Sequence, residues 1–159
     1  MGDGARTAEG KVFRFEEDFA GDLRCIPMAV RFRLDLAGIK LSLRQWSRMS
    51  RAERAWLLAL PVTDDAVLAK YRDTVAACLI RQGEQPERLE TEQSPAWAAV
   101  HEVPAQVATY AQLAGVASPT LPQWQALGEL QRFALVKLSR AKHDNVNFLP
   151  ALREFGLLD

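Results

Sequence analysis

A chain of 159 residues, 48% apolar and 25% charged, suits one soluble domain that hides about 70% of its unfolded surface. Twenty basic residues balance twenty acidic ones, so no global field draws the chain to nucleic acid or to an anionic membrane, and any such attraction must be local. The longest apolar run, Ala55–Val62, falls far short of the roughly 20 residues a membrane helix needs.

The N-terminus, MGDGARTAEG, is polar and glycine-rich, without the apolar centre of a signal peptide. Residues 1–11 are expected to be a disordered tail before one helical domain over 12–159. Two cysteines, Cys25 and Cys78, are too few for a disulfide framework and point to reduced thiols in a cytoplasmic protein.

The stretch from Leu23 to Trp46 carries two opposed signals. Val30-Arg31-Phe32-Arg33-Leu34-Asp35-Leu36 alternates apolar and charged residues as a half-buried strand does. A strand reading would join it to Ile39–Leu43 through an Ala37-Gly38 turn, where a type I′ hairpin would force alanine to positive φ. The helix reading places Pro27 at N1 and Gly38 at the left-handed C′ position, with Ile39 closing a Schellman motif on Leu34. The apolar side chains then spread around the helix, which must sit between other elements. Helix is the better account. The chain's end repeats the same spacing, with Leu152, Gly156 and Leu157 closing a helix capped at Asn147.

Ser42 with Gln45 and Ser50 with Glu53 fit capping boxes and predict helices near 43–48 and 51–60, the second stopped by Pro61. Asp64 caps a longer helix over 65–82, with Leu68, Tyr71, Val75, Cys78 and Leu79 on one stripe. Residues 83–94 carry Glu84, Glu87, Glu90 and Glu92 against Arg88 alone and read as an exposed loop. Ser94-Pro95 begins a short helix containing Trp97, Pro104 opens one over 105–114 that Gly115 ends, and SPTLPQW turns into another. Residues 129–141 are apolar nearly all round and should be the central helix. The fold class is all-α, one compact domain of about seven to eight short and medium helices.

Charge is uneven. Arg24, Arg31, Arg33, Lys40, Arg44, Arg48, Arg51 and Arg54 meet only Asp35 and Glu53 in the segment 24–54. A second basic group comprises Arg132, Lys137, Arg140, Lys142 and Arg153. A solvated face with internal pairing is the plainer account; a docking surface for an acidic partner or a phosphate-bearing ligand is the sharper one. Nucleic-acid binding is disfavoured by the balanced total charge and the lack of interleaved aromatic residues.

Cys25 follows Arg24 and precedes the Pro27 helix start, and a cation and a helix N-terminus both favour a thiolate. A thiol-dependent enzyme or redox factor is therefore one alternative; a buried small side chain is the plainer one. Cys78 reads as core. His143-Asp144-Asn145 reads as a cap and turn, since His101 is far away in sequence and no metal-ligand set is visible. No Walker loop, GxGxxG, HExxH or paired CxxC occurs, so no catalytic residue is assigned.

The segment Phe15–Trp46, above all Leu23-Arg24-Cys25-Ile26-Pro27-Met28 with Arg31, Leu34-Asp35 and Gly38-Ile39-Lys40-Leu41, resembles the nitrate reductase-associated protein family. The ending Leu130–Leu157 is similar to that family's C-terminus, while the acidic middle matches weakly. The resemblance implies a non-catalytic cytoplasmic accessory protein of assimilatory nitrate reductase, aiding its assembly, maturation or activity by protein–protein binding. The partner is then the reductase, with an indirect link to the molybdenum cofactor, and no cofactor is assigned to the chain itself. Arg24, Cys25, Arg31, Arg33, Asp35, Lys40 and Arg44 are the candidate partner-binding residues. Four of them, Arg24, Arg31, Arg33 and Lys40, are also candidates to contact a molybdopterin phosphate.

Overall fold

A computed structural model describes residues 12–61, 64–140 and 146–159. It is all-helical; no strand forms among the described residues, and an isolated antiparallel bridge joins Ile39 to Arg88. The chain divides into two compact units, one ending at Glu92 and the other spanning Gln93–Asp159. The expected tail over 1–11 and the His143-Asp144-Asn145 turn lie outside the described residues.

The first unit opens with a 3-10 turn, Arg14–Glu16, leading into α1 (Glu17–Ala20). The sequence reading had no element here. The ambiguous stretch is a helix, α2 (Met28–Ala37). Pro27, at φ −64° and ψ 153°, is its N-cap and not N1, a shift of one residue from expectation. Met28, now N1, has an N–H with no partner inside the helix, and the Glu16 carboxylate accepts it at 3.1 Å. Glu16 is 1% exposed and also takes the Phe13 N–H at 3.2 Å. A carboxylate there faces the positive end of the helix dipole.

The far end of α2 closes as the spacing predicted. Gly38 has φ 72°, its N–H reaches the Asp35 carbonyl at 3.3 Å, and the Ile39 N–H reaches Leu34 at 3.2 Å. The helix at the chain's end closes the same way, through Leu157 N–H to Leu152 at 2.8 Å. The endings at Gly83 and Gly115 share this pattern, through Glu84 to Leu79 and Val116 to Ala111.

Ala29, Val30, Arg33, Leu34 and Ala37 form the buried face of α2. An arginine therefore stands inside the apolar stripe while Phe32 and Leu36 lie half-buried off it, and together these make the strand-like alternation. Next come α3 (Leu43–Ser47) and α4 (Arg51–Ala59), both with the expected capping boxes, and α5 (Asp65–Arg81), capped by Asp64 onto Val67 N–H. Leu23, Val30, Leu34, Trp46, Leu57, Tyr71, Val75 and Leu79 belong to one core cluster.

The second unit is built around α8. A 3-10 turn, Ala96–Ala98, replaces the short helix expected at Trp97, and α6 (Ala105–Leu113), α7 (Leu121–Ala126), α8 (Glu129–Ser139) and α9 (Phe148–Glu154) follow. The 3-10 turn, α6 and α9 all pack on α8, which buries most of its length, as its all-round apolar character required. Arg132 of the second basic group is buried, donating to the carbonyls of Trp97 at 2.8 Å and Leu127 at 2.6 Å. Asn147 takes the N-cap position of α9, yet its side chain makes no capping hydrogen bond.

Candidate functional site

The basic segment lies wholly in the first unit, and the structure sorts its members by what they touch. Arg33 is 3% exposed and donates through Nη1 to the carbonyls of Leu57 at 3.0 Å and Leu58 at 2.5 Å. These belong to the last turn of α4, whose carbonyls have no partner within the helix. Arg33 thus caps α4 from inside the molecule, its charge at the negative end of that helix.

Arg24 is exposed, donating through Nη2 to the Asp18 carbonyl at 2.9 Å. Arg31 is exposed, with Nε on the Ile26 carbonyl at 3.3 Å. Arg51 and Arg54 reach back to the same loop, donating to the carbonyls of Asp22 at 3.2 Å and Leu23 at 2.9 Å. The Leu23 carbonyl also accepts Trp46 Nε1 at 2.8 Å. With its side chain buried and its carbonyl held twice, Leu23 stays at φ 64°, a conformation that costs a non-glycine residue about 1 kcal/mol or more.

Cys25 sits two residues on, half-buried, its N–H on the Phe19 carbonyl at 2.9 Å. The helix N-terminus that the sequence offered as its activator is filled by the Glu16 carboxylate. Asp35 is half-buried in the last turn of α2. Of the four side chains named for a molybdopterin phosphate, Arg33 is inside, so an anion at this surface could meet at most Arg24, Arg31 and Lys40.

Lys40 and Arg44 face the acidic stretch after α5. Arg44 is ion-paired with Glu84, whose other oxygen accepts Gln45 Nε2 at 2.6 Å. Lys40 stands 3.5 Å from Glu87. Backbone pairing lies between them, from Lys40 N–H to Glu87 carbonyl at 2.9 Å and from Leu89 N–H to Gly38 carbonyl at 2.8 Å. The acidic loop is therefore exposed, as its composition predicted, but laid as a strap across the basic segment. The Lys40–Glu87 side chains are 60% and 68% exposed, so their pairing contributes about 1 kcal/mol at most. Lys40, Ser42, Arg44, Gln45 and Glu87 line a recess of about 180 Å³.

Cys78 is buried as expected, yet in polar company: its thiol donates to Glu53 at 2.9 Å, and Arg81, ion-paired with the same glutamate, reaches the sulfur at 3.2 Å. Burial pushes the Cys78 thiol up from its ordinary value. Sequence spacing gave no sign of this cluster, because its members come from α4 and α5. Among the described residues no group of three or more His, Cys, Asp and Glu could hold a metal, and no described helix is long and apolar enough to cross a membrane.

The sequence model of the conserved nitrate reductase-associated proteins matches residues 12–155. The chain belongs to that family. The match takes in both units and the acidic strap, where the resemblance read from the sequence was weakest. Neither a curated protein nor a solved structure matches this family member.

Proposed function

We propose that the protein is a non-catalytic accessory factor of assimilatory nitrate reductase, helping its assembly, maturation or activity in the cytoplasm by direct binding. Membership of a family described by its association with nitrate reductase carries this reading. The docking surface is the exposed part of the basic segment, centred on Arg24 and Arg31 and extended by Lys40 and Arg44. Guanidinium groups held in place by backbone carbonyls suit this role, since less side-chain freedom is lost when a carboxylate partner arrives. Arg33 is excluded from that surface by its burial and acts through the fold.

The test is affinity capture from nitrate-grown cells. The reductase should co-purify with the wild-type chain, and Arg31→Glu should weaken capture while leaving the helical spectrum unchanged. Unaltered reductase activity after deletion of the gene would overturn the proposal.

A further inference from the structure

We propose that the acidic strap is an internal stand-in for the partner, and that the surface beneath it binds an extended acidic peptide segment with carboxylates three residues apart. The strap itself supplies the template. Glu84 and Glu87 reach Arg44 and Lys40, while the chain at Gly38–Lys40 pairs with the strap's backbone in antiparallel fashion. Added-strand recognition works in this way: main-chain hydrogen bonds give the register and side-chain charges select the sequence.

The strap's hold is of the kind that opens locally. Glu84 is its firmer fastening, 18% exposed between Arg44 and Gln45, but further along the Lys40–Glu87 pair is open to water and Leu89 is 38% exposed instead of anchored in the core. It also runs close over Gly38, where a Cβ would stand 3.1 Å from both the Leu89 carbonyl and the Thr91 methyl. A competing segment would take over the same contacts, so its carboxylates face cations already positioned for them. This inference deepens the docking reading and rests on the same basic surface. Its test uses an isolated peptide, so it can fail while reductase capture succeeds.

The probe is a fluorescently labelled peptide of the strap's own sequence, GEQPERLETE, residues 83–92. The full chain carrying E84Q/E87Q/L89P, which removes both carboxylates and the Leu89 N–H, should bind it at least tenfold more tightly than wild type. Adding K40E/R44E should abolish binding, and salt should weaken it. A strap-loosened variant that keeps its helical spectrum and cooperative unfolding yet binds no better than wild type overturns the proposal. So does equal or tighter binding of a single-stranded oligonucleotide, which would make the surface a general polyanion site. Should that variant not fold, hydrogen exchange on the wild-type chain decides. The Lys40 and Leu89 amides should exchange at least a hundredfold faster than those of Leu34 and Gly38, and equal protection refutes the proposal.

Discussion

The Arg33 guanidinium and the Tyr71 hydroxyl donate to the same acceptor, the Leu57 carbonyl, at 3.0 and 2.9 Å. One carbonyl of α4 thereby ties α2 to α5 through a buried cation and a buried phenol. Replacing Arg33 with Met keeps most of the volume but strips Leu57 and Leu58 of a charged donor, and should cost about 3 kcal/mol. Arg33→Lys should recover part of the loss, because one nitrogen, Nη1, meets both carbonyls and an ammonium can also donate twice. Urea unfolding measures both. A loss under about 1 kcal/mol for Arg33→Met would show that the inward cap is dispensable.

Tyr71 also sets an alkaline limit. Burial raises its hydroxyl well above the ordinary value near 10, against the lowering pull of Arg33. Above that ordinary value the unfolded hydroxyl loses its proton while the folded one keeps it. Stability is therefore full below about pH 10 and falls as pH rises past it. Tyr71→Phe should lose about 1 kcal/mol at neutral pH, from the missing hydrogen bond, and show a shallower decline above pH 10. Parallel slopes for the two proteins between pH 9.5 and about 11 would contradict this account.

Gly38 and Gly115 separate conformational strain from crowding. Both have positive φ, 72° and 80°, but a Cβ at Gly115 meets nothing within 4 Å, whereas at Gly38 it presses on the strap. Gly115→Ala should cost about 1 kcal/mol from the left-handed backbone alone. Gly38→Ala should cost clearly more and should also speed exchange of the Leu89 amide. Equal losses would place the strap too far from Gly38 to feel a methyl group.

Glu16 shows how the helix start depends on a residue twelve positions upstream. Glu16→Gln retains one acceptor but removes the negative charge facing the N–H groups of α2. It should lower stability by about 1–2 kcal/mol, with the loss visible in both thermal and urea unfolding. A neutral effect would mean that the dipole and the two backbone donors are satisfied equally well by an amide.

These residues also mark where the sequence could be read and where it could not. The caps at Ser42, Ser50 and Asp64 and the Schellman endings at Gly38 and Gly156 are local, fixed by residues three to five positions apart, and all formed. Such spacing resolved the strand-like alternation of residues 30–36 in favour of a helix. The roles of Arg33 and Glu16 are non-local: one caps a helix that begins eighteen positions later, the other a helix across an intervening loop. Arg33 reads as surface by its charge yet lies inside, and nothing local in the sequence marks Glu16 as buried. The basic segment was visible as composition, but its pairing with the strap depends on a return of the chain about forty residues on, which periodicity does not encode.

The two cysteines should part company under alkylation. Cys25 is half-buried in a loop, while Cys78 is 3% exposed, its thiol held between Glu53 and Arg81 and raised by burial. The thiolate is the reacting species, so Cys78 is disfavoured twice, by access and by ionisation. At pH 8, iodoacetamide should modify Cys25 first, and Cys78 should follow only through opening of the first unit, at a rate that urea accelerates steeply. Glu53→Gln removes a neighbouring anion and one end of the Arg81 pair, and should quicken Cys78 labelling several-fold. Mass spectrometry of timed samples separates the sites. Simultaneous labelling of both cysteines in the native protein would show that the α4–α5 packing leaves the sulfur open, and the cluster around it would lose its claim to a structural role.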